Sequence, residues 1–270
     1  MAKSPPVKWT REHLLMALSL YPQLRFGRFH SRNPHIKAVA EKMGRSPGSL
    51  AMKLANFASL DPQLKQKGMV NVSEQDRALW AEFEKCRGEV RAEGEALLHA
   101  LFGLPEDQEL DFLDPNGIRI VVSEVEMEAE EAAEKSDVEL RKLRRGYWFF
   151  RQAILNIYDV QCCITGIAMP RLLVAKHIRP AREFPKERFN LNNGLCLSGL
   201  HAPAFAGGLI TLDEQYRVVL SPQLKKHFAK DVMKVNFEPY DGRPIRLPNV
   251  LAQPSPESLA YHREHVFKKK

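Results

Sequence analysis

The chain has 270 residues, 44% of them apolar and 27% charged, with a net charge of +7; these are the proportions of a globular protein with room for two modest domains or one large one. No apolar run approaches the ~18 residues of a membrane helix, and Met1 to Pro6 lacks an apolar secretory core, so a cytoplasmic protein without a membrane partner is expected. Four cysteines, Cys86, Cys162, Cys163 and Cys196, form no C-x-x-C pair, which argues against a four-cysteine zinc knuckle and for buried, reduced thiols; no structural zinc is expected.

The first region, 1–103, reads as helical. Thr10 precedes the apolar face Leu14-Leu15-Met16-Ala17-Leu18 as an N-cap. The run Ile36 to Met43 ends at Gly44, a helix stop. Ser46 then caps, and Pro47 suits the first position of a helix that continues through Leu54. Small residues at 40 and 44 allow the tight approach of a helix-turn-helix. In a DNA-binding version the second helix enters the major groove, and Arg45, Ser46, Ser49 and Lys53 are its candidate contacts. A plain helical hairpin is the alternative. A further helix is expected from Ser73 to about Leu101.

The second region, 104–140, is an acidic linker. Between Leu104 and Glu139 stand 13 acidic and 2 basic residues, a balance of −11, so the remainder carries +18. That remainder is basic enough to be drawn to a polyanion such as DNA. Asp114-Pro115-Asn116-Gly117 marks a turn, Ile118 to Val122 a short strand, and Glu124 to Glu139 a polar helix or linker. Such a charge run is a solvated surface, with shielding of the basic remainder by DNA mimicry as the other reading.

The third region, 141–270, opens on Arg141-Lys142-Leu143-Arg144-Arg145. Arg144 and Arg145 are candidate phosphate contacts, or else a solvated basic pair. Tyr147 to Leu155 reads as a helix whose aromatics are core. A short strand pair is expected over Cys163–Gly166 and Leu172–Ile178, then a loop from Arg179 to Asn193. A short helix is expected from about Asn193 to Gly207-Gly208, and a β-hairpin over Leu209–Leu212 and Tyr216–Leu220.

His177 closes an apolar strand-like run, His201 opens a helical one, and Asn193 lies between them. Phosphodiester hydrolysis needs a base for water, a Lewis acid on the phosphate and compensation of the leaving charge. One histidine can accept the proton, the other can hold a divalent ion, and an asparagine can orient the first or brace its loop.

On "CITG", "HI-x-P", "NGLCLS-x-LH" and "AF-x-x-GLITLD" the chain resembles the HNH endonuclease family, from roughly Arg144 onward. "WTREHLLMALSLY" and "GRSPGSLAMKLANFASLDP" resemble the helical region that precedes such domains in bacterial restriction-type proteins. The resemblance implies an α+β protein, with a helical N-terminal domain containing a helix-turn-helix and a C-terminal ββα-metal domain. It implies a DNA endonuclease of restriction or phage defence, acting on modified or unmodified DNA, with His177 as general base, Asn193 as the middle asparagine and His201 as ligand to a divalent metal ion, Mg²⁺ or Mn²⁺. A homodimer is expected where both strands are cut. Three positions depart from the family pattern. Ala202 and Ala206 stand where related sequences carry aspartate. Lys176 stands where many have a metal-binding acid, and it is a candidate DNA contact instead. A non-catalytic DNA-binding protein on a degenerate HNH frame is therefore the second expectation, and a protein-interaction role for the N-terminal half the third.

Overall fold

The computed structural model describes residues 8–24, 26–62, 72–105, 108–114, 116–122, 136–229, 231–248 and 253–269. The chain divides into two compact units, Met1–Gln152 and Ala153–Lys270. Among the described residues no helix is long and apolar enough to cross a membrane.

Five helices build most of the first unit: α1 Arg11–Leu20, α2 Pro34–Lys42, α3 Pro47–Leu60, α4 Glu74–Lys85 and α5 Arg87–Leu101. Their starts follow the side chains that satisfy orphan N–H groups. Thr10, Asn33, Ser46 and Ser73 each accept a hydrogen bond from the first turn that follows. Gly44, at φ +65, makes the turn between α2 and α3. The expected helix from Ser73 to Leu101 is two helices. At Cys86 the backbone leaves the helical region (φ −132, ψ 52), its N–H still bonded to Glu82 and its carbonyl accepting from Val90. α1 and α5 approach so closely that a Cβ at Gly94 would lie 2.6 Å from the carbonyl oxygen of Leu15. The core between the helices holds Leu15, Leu18, Ile36, Leu50, Leu54 and Phe57, and Trp80 lies near Phe57 and Tyr21.

The acidic region contributes an antiparallel hairpin to this unit, β1 Gln108–Asp111 with β2 Arg119–Val122, in the register Gln108↔Val122 to Asp111↔Arg119. The stretch 123–135, which holds most of the expected polar helix, lies outside the described residues. Helix α6 runs Asp137–Ile157. Trp148, Phe149 and Phe150 are buried, and the Trp148 indole donates to the Leu110 carbonyl.

The expected DNA-reading face of α3 is engaged within the protein. Lys53 is 6% exposed, and its ammonium lies 2.7 and 2.9 Å from the carboxylate oxygens of Asp76, which is fully buried. It is thus a correction to the candidate contacts: a buried cation is held by a buried anion. Arg45 stacks on Trp9 at 3.9 Å and donates to the Lys8 carbonyl. The Ser46 hydroxyl accepts the Ser49 N–H as the helix cap. Arg145 lies 3.4 Å from His99 Nδ1 and belongs to the polar cluster of the first unit, while Arg144 is exposed.

The second unit carries three structural pieces. The first is an antiparallel pair, β3 Leu173–His177 with β4 Gly194–Ser198, followed by helix α7 His201–Ala206. Next comes the hairpin β5 Ile210–Leu212 with β6 Val218–Leu220. Short helices α8 Pro222–Lys225, α9 Asp231–Phe237 and α10 Pro256–Tyr261 follow. Two expectations are corrected here. Cys163–Gly166 is a turn, closed by the Gly166 N–H on the Cys162 carbonyl, not a strand. Gly194–Ser198 is a strand, not the start of the helix. All five of its residues are buried, so the apolar run shows no alternation that would mark it as β.

Lys53→Ala leaves Asp76 ionised in the core without its cation. Loss of one partner of such a pair costs about 3–5 kcal/mol. A thermal melt of the variant is expected to show a first unit several degrees less stable, and an unchanged melting temperature would refute the pairing.

Candidate functional site

β3 ends at His177, directly opposite Gly194 at the start of β4. The half-buried imidazole has Nε2 2.7 Å from the carbonyl oxygen of Arg188. A carbonyl only accepts, so Nε2 carries the hydrogen of this bond. The loop that follows the strand thereby fixes the orientation of the ring.

Asn193 holds this loop. It is fully buried. Its Oδ1 accepts the Arg179 N–H at 2.8 Å, and its Nδ2 donates to the Arg179 carbonyl at 3.1 Å. Its own carbonyl accepts from Ile178 N–H at 2.9 Å. One buried amide thus ties together the two ends of the chain between β3 and β4. The Arg179 guanidinium pairs with Glu187 at 2.9 Å and lies over Phe184, which adds a second bond within the loop. Asn193 has no exposed surface to meet a substrate; it positions the segment that orients His177.

His201 sits elsewhere. Ser198 pairs with Leu173, at the opposite end of the hairpin from His177 and Gly194. Four strand steps separate those ends, roughly 13 Å. The His201 ring is bonded to Ser198, so it belongs to the far end. Its Nδ1 accepts the Ser198 hydroxyl at 2.9 Å, and its Nε2–H donates to the Asn236 carbonyl at 3.1 Å. Phe237 and Tyr240 pack against its faces, and it is 3% exposed. Burial lowers its pKa, opposed by the bond to Asn236. Both ring nitrogens are therefore committed, and neither is open to an ion.

The neighbouring positions give no other donors. Ala202 is buried, Ala206 is exposed, and both are aliphatic. Lys176, half-buried and opposite Leu195 on β4, is a cation that would repel a second one. Among the described residues no group of three His, Cys, Asp or Glu side chains could hold a metal ion. The described residues at these positions do not fit a divalent cofactor.

His262 is a second buried histidine of this unit. It is 1% exposed, stacked on Phe205 at 3.8 Å, and bonded to Thr211 Oγ1 and the Phe205 carbonyl. Burial pulls its pKa down to about 4. Reasoning from sequence also missed Ser198 as the partner of His201, though a hydroxyl three residues before a helical histidine is the signal for it.

A two-stranded antiparallel pair, a buried asparagine bracing the connecting loop and a helix that follows at once define a ββα unit. The HNH endonuclease family model matches residues 162–213, which span that unit. The likeness to HNH endonucleases is confined to this segment, and it suggests a nuclease acting on DNA. No curated protein matches the chain.

The histidines set a pH response with a definite sign. A folded-state pKa below the unfolded value of about 6.5 means that the unfolded chain binds the proton first. Stability from His262 and His201 is complete above pH ~6.5 and is lost as pH falls toward 4. In the first unit burial raises Glu95 to about 8 and Glu109 to about 7, against the pull of Arg145. Their contribution is present below the ordinary carboxylate range and is lost as pH rises through 7 and 8. Amide exchange followed across pH 5 to 8 is expected to show protection of the HNH unit rising while that of the first unit falls; parallel trends would refute the assignment.

Proposed function

We propose that this chain binds duplex DNA through its HNH unit and that the hydrolytic site there is incomplete, so that binding without cleavage is its activity. The observation that carries this is the committed state of His201. The histidine that would hold the ion is spent on Ser198 and Asn236, at the end of the hairpin away from His177. Charge supports the DNA partner. The first unit balances 23 basic against 23 acidic residues, whereas the second has 17 against 10 and carries the whole excess of +7. Phosphate contact belongs on that unit, with Lys176 beside His177 among its cations. The helix pair α2–α3 has the form of a helix-turn-helix, yet Lys53 and Arg45 are turned to Asp76 and Trp9, which removes two of its four candidate contacts.

A specific observation favours a second reading, hydrolysis. His177 is held in one orientation by the Arg188 carbonyl and the Asn193-braced loop, as a general base would need to be. Under this reading the protein is an endonuclease of restriction or phage defence, on modified or unmodified DNA, drawing its divalent ion into the complex with the phosphate and acting as a homodimer on both strands.

Plasmid nicking across Mg²⁺, Mn²⁺, Ni²⁺ and Zn²⁺, run beside a mobility-shift titration, separates the two. The expected result is a salt-sensitive shift with no nicking under any ion. Nicking by the natural chain that disappears in His177→Ala, with the shift retained, would establish the endonuclease instead.

A further inference from the structure

Ahead of β3 the HNH unit exposes a group of apolar side chains that its fold does not use. Ile167 is 40% exposed, Met169 56%, Leu172 51% and Val174 37%, with Leu200 beside them at 45%. The backbone under them is well tied. The Cys162 N–H bonds to the Ile167 carbonyl, the Leu172 N–H to the Met169 carbonyl, and the Gly199 N–H to the Leu172 carbonyl, each at 2.9 Å. Gly166, at φ +75, makes the turn that starts the segment. Side chains are thus projected into water from a fixed support. Exposed apolar surface on an ordered frame marks a contact surface.

Its charge selects the partner. No acidic residue occurs from Val160 to Arg182; Arg171 and Lys176 are cations of that stretch, while Arg179 is paired with Glu187. Arg171 is exposed between Met169 and Leu172. Two copies of the chain packed face to face on this patch would bring like charges together. DNA offers what the patch needs: phosphates for the cations, and stacked bases between which apolar side chains can insert. We propose, resting on the DNA-binding reading above, that Met169 and Leu172 with Arg171 form a wedge that enters the minor groove of duplex DNA and bends it. The wedge lies just ahead of β3 and His177 at its end, five residues on from Leu172 and roughly 16 Å away, so the bend falls about five base-pair steps from the phosphate near His177.

The test uses the full chain and a 30-base-pair duplex carrying a fluorophore at each end. Anisotropy at several salt concentrations reads affinity, and energy transfer between the ends reads bending. The natural chain is expected to bind with steep salt dependence and to bring the ends together. Met169→Ser with Leu172→Ser is expected to abolish the bend and weaken binding about tenfold, with the salt slope unchanged. Arg171→Ala is expected to lower that slope by about one. Val232→Ser with Val235→Ser, exposed apolar positions on α9, should change neither. Duplex bound without a bend, or bent equally by the double variant, would overturn the wedge and leave the DNA-binding reading standing. Failure of the natural chain to bind duplex would overturn both. A dimer in sedimentation that the double variant dissolves, with bending intact, would assign the patch to a second copy and overturn the wedge.

Discussion

The buried amide of Asn193 is the constraint on which the candidate site depends. The chain between β3 and β4 must leave one strand, cross the end of the pair and re-enter beside it. Asn193 closes that path by accepting from and donating to the same residue, Arg179, while its own carbonyl takes the Ile178 N–H. Each bond is worth only about 1 kcal/mol net, but a buried amide left unpaired costs more, so the loop has one low-energy arrangement. The Arg188 carbonyl stays where it meets His177 Nε2 as a result. The orientation of the His177 imidazole is thus specified from a residue that never touches solvent.

The other histidine of the unit has gone a different way. An ion bound at the start of α7 would join the helix to its surroundings. In this chain hydrogen bonds make that join: Ser198 on one side of His201, the Asn236 carbonyl of α9 on the other, and the rings of Phe237 and Tyr240 against its faces. His262 does the same between β5 and α7, through Thr211 and the Phe205 carbonyl. Burial favours the neutral form of both imidazoles, and the charge of Arg263 adds to this at His262. They act as polar cross-links, and a cation at either would have to displace one of these bonds.

What could be read from the chain alone follows the range of the interaction involved. The α2–Gly44–α3 turn was legible because the stop, the cap and the helix-opening proline are adjacent. The β5–β6 hairpin was legible because its apolar residues alternate around Asp213. β4 was not, because burial on both faces leaves a continuous apolar run that suits strand and helix alike. Lys53 looked like a surface cation because Asp76, its partner, is in another helix. Nothing local marks His262 as buried, because its partners Thr211 and Phe205 lie some fifty residues away. At the site, the triad of His177, Asn193 and His201 could be picked out by spacing. Spacing does not say which ring nitrogens are engaged, and that decides what each can do.

The division of charge follows from the same logic. A unit with balanced charges can afford internal ion pairs such as Lys53 with Asp76, and it also holds a buried, hydrogen-bonded carboxyl at Glu95, with Gln23 donating to it. The HNH unit has few buried carboxylates and an excess of surface cations, so its field is left for a polyanion to complete. On the DNA-binding reading an HNH-like segment that keeps this field and its braced loop keeps the means to hold DNA, with Ala202, Ala206 and Lys176 standing where it departs from the family pattern. Hydrolysis needs every element of the site at once, whereas adhesion to phosphate is a sum over many weak contacts. On that reading, a site short of one element loses the first without losing the second.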